Sequence, residues 1–250
     1  MRKSLVALSV VAAATTFPAQ AEYLYGFGDM SVNYLDWSNG TEERAGHQKD
    51  FWYLELEGGA GFTWGELYGF ADLENADQGS DKARTSLKGS IAYKTGIAEL
   101  RVYGQIYNTN SDGFTAQNNV LGLSYAFNGD GWFFNPFIGF HHTMTSADWK
   151  NPSSFTGMNG GMFGWNAGYN FNAFGEKFMI SNWHESEFGR NDKYMIVAGE
   201  GDHVTANGAI AFWWNATENV TTGIQYRYAF NKLGTSGNQN AMIYTVKYNF

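Results

Sequence analysis

The chain has no cysteine among its 250 residues and only 3 prolines. Without Cys, a disulfide scaffold, a thiolate zinc site, an iron–sulfur protein and a cysteine nucleophile are excluded. Charge is scarce as well: 16% of residues carry it, and the formal net charge of -8 offers phosphates no general attraction, which argues against a nucleic-acid partner. No apolar run approaches the ~20 residues of a spanning helix, the longest being Ala209 to Trp214. What the chain has instead is rings, with 9 Trp, 15 Tyr and 20 Phe set among 31 Gly. So much ring surface offsets the entropy of ordering, which argues against disorder, and rings mixed with Gly, Asn and Thr point to β-structure.

The N-terminus reads as an export signal. Arg2 and Lys3 are followed by an apolar stretch from Leu5 to Ala14 and a small-x-small site at Ala19-Gln20-Ala21. Residues 1–21 are therefore expected to be removed, leaving one domain over residues 22–250. An exported chain without a spanning helix is either soluble or a β-barrel, because only helices and closed barrels satisfy their backbone groups in lipid.

Alternation favours the barrel. Met242, Tyr244, Val246, Tyr248 and Phe250 share one face, and Ile243, Thr245, Lys247 and Asn249 the other; Phe163 to Asn172 and Val220 to Asn231 alternate in the same way. The pattern predicts an all-β, transmembrane antiparallel barrel of about twelve strands, near residues 24–37, 50–61, 66–74, 84–94, 97–108, 116–127, 132–145, 160–172, 176–187, 204–215, 220–231 and 241–250. Short connections near 62–65, 95–96, 128–131, 172–175 and 216–219 alternate with longer ones near 38–49, 75–83, 109–115, 146–159, 188–203 and 232–240. Short periplasmic turns and long extracellular loops on opposite ends belong to outer-membrane barrels. At ~10 residues per strand, twelve strands use about half of the exported chain, whereas sixteen leave too little for the long connections. The final strand, with Tyr244, Val246, Tyr248 and Phe250 on its apolar face, resembles the C-terminal signature that outer-membrane assembly machinery recognises.

With the more apolar face placed against lipid, the inward residues are expected to include Phe27, Asp29, Tyr53, Glu55, Glu57, Tyr68, Phe70, Asp72, Arg101, Tyr103, Arg227 and Lys247. Ionisable residues in a lumen need partners, so each of these charges can simply be paired. The rings are harder to assign to such a role, since a plain water pore has no use for them. Ring faces beside hydrogen-bonding groups suit a solute with a flat ring and a polar rim, such as a nucleoside.

The stretches Leu24-Tyr25-Gly26-Phe27-Gly28-Asp29, Tyr53 to Gly59, Leu67 to Asp72 and Ser80-Asp81-Lys82 resemble the Tsx family of nucleoside-specific channel-forming outer-membrane proteins, including its OmpK-type members. The resemblance implies a monomeric twelve-stranded barrel in the bacterial outer membrane, with a narrow channel for nucleosides and related small solutes. It also implies a surface that phages can use, and solute binding at Phe27, Tyr53, Glu55, Glu57, Tyr68, Phe70 and Asp72.

Other motifs carry less. His141-His142 are neighbours on a strand and point to opposite faces, so they cannot share one metal ion. His184-Glu185 and Glu187 raise the question of an enzyme at the rim, but no nucleophile has a recognisable setting, and no catalytic residue, metal or cofactor is expected. The expectation is a passive diffusion channel selective for nucleosides or similar polar ring compounds. The alternative is a structural or phage- and adhesion-receptor barrel with an effectively closed lumen.

Overall fold

Alternating side chains leave each strand one face to hide and one to keep wet, and the chain resolves this by closing its sheet. The computed structural model describes residues 21–250, so the expected export signal lies, apart from Ala21, outside the described residues. The strands are β1 (Tyr23–Trp37), β2 (Phe51–Phe62), β3 (Gly65–Glu74), β4 (Arg84–Lys94), β5 (Leu100–Ser111), β6 (Phe114–Tyr125), β7 (Phe127–Gly129), β8 (Trp132–Ala147), β9 (Ser154–Ala173), β10 (Glu176–Phe188), β11 (Ala206–Asn215), β12 (Val220–Phe230) and β13 (Asn238–Asn249). Each pairs antiparallel with its neighbour in sequence, apart from β7, which pairs only with β8. β1 pairs with β13, and β6 pairs with β8 past β7. The result is a closed twelve-stranded barrel, with β7 as a short extra strand on the edge of β8. Closure leaves no long unpaired edge, as a backbone in lipid requires.

The outer surface carries an apolar band. Val32, Leu54, Ile106, Leu121, Ile138, Ile210, Ile224 and Val246 are all exposed on it. Rings border the band at both ends, with Tyr93, Trp132, Tyr169, Trp214 and Tyr248 towards the short turns and Trp52 and Phe230 towards the loops. An apolar belt between two aromatic girdles fits the hydrocarbon layer and its interfaces. The terminal Phe250 lies outside as well; its N–H donates to Gly28 O, and its ring covers Gly28, where a Cβ would sit 2.8 Å from Cε2.

The connections follow the expected rhythm with three corrections, the first being that β9 begins at Ser154 rather than near 160, which shortens the connection expected at 146–159 to residues 148–153. Between β5 and β6 the expected long loop is a two-residue reversal, Asp112-Gly113, which Gly113 permits by adopting φ +67°. The fifth strand begins at Leu100 rather than near 97, which lengthens the preceding turn. Two loop segments fold into helices, α1 (Asn39–Ala45) and α2 (Asp192–Ala198). The Ser38 side chain caps α1 by accepting from Thr41 N–H, and Asn191 caps α2 by accepting from Lys193 N–H. Tyr194 and Val197 of α2 are buried, and Tyr194 meets Phe155 of β9 edge-on.

Candidate functional site

Contacts across the barrel show which face is the interior. Lys88 Nζ of β4 lies 2.5 Å from Glu185 Oε1 of β10, five places away around the ring, so both side chains project into the lumen. Lys88 stands in register with Tyr107, Phe70, Glu57 and Asp29 on β5, β3, β2 and β1. One step towards the loops, Ser86, Asp72, Glu55, Ser31 and Lys247 form a second inward row across β4, β3, β2, β1 and β13. Because side chains alternate, these two rows place all twelve expected lumen residues on the inner face. Tyr244, Val246, Tyr248 and Phe250 fall on the outer one.

The inward residues form distinct groups. The first is an acidic wall on β1, β2 and β3: Lys247 Nζ donates to Asp29 Oδ2 at 3.3 Å and Glu57 Oε2 at 2.8 Å, and Tyr68 OH donates to Glu57 Oε1 at 2.6 Å. Glu55 and Asp72 oppose each other in the next row. Rings run beside this wall, with Phe27 6.5 Å from Tyr68, Phe70 6.4 Å from Tyr68, and Phe70 6.4 Å from Tyr107 between centroids. Phe27 remains 52% exposed, so its face is open to a solute at the turn end of the lumen.

Three of the expected residues stand apart from that wall. Arg101 is held near the turn end by Glu66 at 2.7 Å, and Tyr25 OH donates to the same carboxylate. Tyr103 stacks on Phe137 with centroids 4.6 Å apart and donates to Gln105, which donates in turn to Glu185. Arg227 lies over the Trp183 ring, 4.7 Å from its centroid, and its Nη1 donates to the Gly208 and Tyr228 carbonyls. Tyr53 packs on an inward apolar cluster of Leu35, Trp37, Phe51, Ala241 and Ile243, which narrows the loop end of the barrel.

Sequence reasoning did not place Trp183 and Trp213 in the lumen, although each lies under an inward cation; Lys247 Nζ sits 4.9 Å from the Trp213 centroid. Three consecutive rings, Phe212 to Trp214, hide which face is apolar. The usable signal was the partner: Gly223 stands opposite Trp213, and a Cβ there would lie 2.3 Å from the indole.

At the loop end a buried ion cluster joins β10, the segment carrying α2, and the β12–β13 loop. Arg190 contacts Glu187 and Glu200, and Lys232 lies 2.6 Å from Glu187 Oε1. Burial lowers the Lys232 ammonium's affinity for its proton, but the Glu187 and Glu200 carboxylates outweigh that and hold its pKa well above the ordinary lysine range. Burial pushes the Tyr194 hydroxyl up.

His141, His142 and His184 do not assemble a reactive centre. His141 faces inward, fully buried against Asn118, while His142 lies on the outer face. His184 contacts Ser186 Oγ at 2.8 Å and Tyr228 OH at 2.9 Å on the outer wall, whereas Glu185 and Glu187 point inward. No carboxylate therefore orients that imidazole, and Ser186 is buried.

A closed barrel with an apolar belt outside and rings, carboxylates and cations inside is an outer-membrane channel of the porin type. The chain belongs to the nucleoside-specific channel-forming protein family, Tsx, whose family model matches residues 32–250. It is also similar to the NanC porin, at 12% identity with a TM-score of 0.53 over 88% of this chain and 98% of that one. Weaker likenesses join it to the KdgM porin (8% identity, TM-score 0.46, 89% and 99% covered) and to an outer-membrane channel of Pseudomonas putida F1 (12%, 0.46, 93% and 99%). The protein is a channel, not an enzyme, and its place is the bacterial outer membrane. The short turns accordingly face the periplasm and the loops the exterior.

Proposed function

We propose that the channel selects nucleosides or similar small solutes that combine a flat ring with a hydrogen-bonding rim. The observation that carries this reading is the juxtaposition of Phe27, Tyr68 and Phe70 with Asp29, Glu55, Glu57, Asp72 and Lys247 on the inner faces of adjacent strands. A base stacked on one ring gains ~1–3 kcal/mol, while the carboxylates accept hydrogen bonds from ribose hydroxyls or base amines. Binding at each contact stays weak enough for release, as conduction requires. Tyr103, Arg101 and Arg227 line the same path above and below the wall.

Uptake into channel-bearing liposomes tests the reading. Phe27→Ala and Tyr68→Ala are expected to reduce adenosine and thymidine flux several-fold at low concentration, with ion conductance equal or higher. Tyr226→Ala, on the lipid face, is expected to leave both unchanged. Equal behaviour of all three variants, or wild-type conductance indifferent to nucleosides, overturns the reading. The cross-lumen Lys88–Glu185 pair favours the second reading, a surface barrel with a closed lumen; absence of conductance in planar bilayers would establish it.

The outward residues Tyr244, Val246, Tyr248 and Phe250 serve in this reading as the signal for the outer-membrane assembly machinery. Deleting Phe250 is expected to reduce the heat-modifiable, folded fraction in the membrane. An unchanged folded yield would show that the terminal ring is dispensable.

A further inference from the structure

We propose that the acidic wall of the lumen holds a hard divalent cation of the calcium class, bound by Asp29, Glu55 and Glu57 with Asp72 beside them. Carboxylate oxygens of Asp29, Glu55 and Glu57 lie within 4.8 Å of one another. Calcium takes its oxygens at ~2.3–2.6 Å, so two ligands on opposite sides of one ion stand up to about 5 Å apart. Magnesium demands near-ideal octahedral geometry and gives up its water reluctantly, so a cage of protein carboxylates suits it less.

Charge alone does not make the case, since acidic clusters are common. The second observation is what the protein leaves undone. Four carboxylates share one nearby cation, and Lys247 reaches only Asp29 Oδ2 and Glu57 Oε2. Among the described residues, Glu55 and Asp72 make no ion pair, although they stand directly opposite across β2 and β3. Like charges in that position repel unless a shared proton or a cation sits between them. Asp29 is 95% buried, and its Oδ1 has no hydrogen-bond partner, nor has the covered Asp72 Oδ1. A buried charged acceptor without a donor is costly, and the polar neighbours do not relieve it: Ser31 Oγ reaches Glu55 only at 3.5 Å, and Tyr68 OH is spent on Glu57. A divalent ion would neutralise the excess and give the free oxygens their missing partner.

Sequence reasoning assigned these carboxylates to solute binding and expected no metal. The inference does not depend on that assignment, because it is tested without any solute. Calorimetry of the folded barrel in detergent, titrated with calcium chloride, is expected to show one saturable site, with magnesium at least tenfold weaker. Terbium, used in place of calcium, is expected to show emission sensitised by Trp213, which lies beside Lys247, and calcium is expected to quench it. Asp29→Asn and Asp72→Asn, each checked for folding by heat-modifiable migration, should each weaken calcium binding tenfold or more. If the wild type takes up no calcium, or if a saturable site keeps its affinity in the folded variants, the proposal is overturned. Failure here leaves the uptake experiments with nucleosides to stand or fall separately.

Discussion

Arg190→Met is expected to destabilise the barrel by about 3–5 kcal/mol, the range typical of removing one partner from a buried ion pair. The Arg190 side chain is fully buried, and the Glu187 and Glu200 side chains are only 3% and 7% exposed. Its guanidinium lies 3.1 Å from Glu187 Oε2, an ion pair without the alignment of a hydrogen bond, and also bonds Glu200. Its Nη1 reaches the Gly201, Asp202 and Asn231 carbonyls, and the group lies over the Tyr194 ring. Methionine fills similar volume but leaves two buried carboxylates to Lys232 alone and strips those carbonyls of a donor. Lys232 cannot be recruited further, because its ammonium already faces both acids. Its raised pKa also fixes the pH dependence: its contribution is complete below the unfolded lysine value and is lost only as pH rises through the higher folded one. Urea unfolding in lipid vesicles measures the loss, and proteolysis of residues 189–205 localises it. A change under 1 kcal/mol would mean that the cluster relaxes into solvent and does not tie the loop to the rim.

How legible such features are in the sequence depends on the range over which they are encoded. Strand positions are local, since alternation of rings with Gly, Asn and Thr from Phe163 to Asn172 settles both the strand and its faces. The inner rows were legible for the same reason: once Tyr244 and Val246 face lipid, Thr245 and Lys247 must face inward. The Asp112-Gly113 reversal was misjudged because the polar residues on both sides of it resemble a loop, yet they continue the β5–β6 ladder. What alternation cannot encode is pairing across the lumen. Lys88 and Glu185 are 97 positions apart, and nothing local distinguishes Glu185 from Glu187, although one meets β4 and the other meets the loop after β12. The inward Leu35, Trp37 and Phe51 were likewise hidden, because they break the rule that the inner face is polar. They do so at the loop end, where the wall is covered by its own loops: Gln48 donates to Gln239 and to the Leu233 carbonyl, and Arg44 to the Asn238 carbonyl.

The assignment of faces itself has a sharp consequence in β12. Ile224 is 49% exposed on the outer wall midway along the strand, opposite Phe212 and Tyr244, while its neighbour Gln225 points inward and donates to Thr245 Oγ1 at 3.2 Å. Ile224→Arg places a guanidinium at the bilayer midplane and is expected to cost ~2–4 kcal/mol. Partial relief by bending the side chain towards the interface is already included in that range, since long cationic side chains snorkel. Gln225→Arg moves the same group by one residue into an interior that holds more carboxylates than cations along β1 to β3, so its cost is expected to stay below about 1 kcal/mol. Unfolding of both variants in vesicles of the same lipid, read against wild type, measures the difference. Because the two substitutions add the same charge at adjacent backbone positions, net charge cancels, and the difference in strand propensity between Ile and Gln, about 1 kcal/mol at most, is smaller than the expected difference between the two media. Equal losses would place both positions in the same medium. A larger loss at Gln225 would invert the barrel's faces, and with them every lumen residue on which the proposed nucleoside selectivity and the proposed cation site rest.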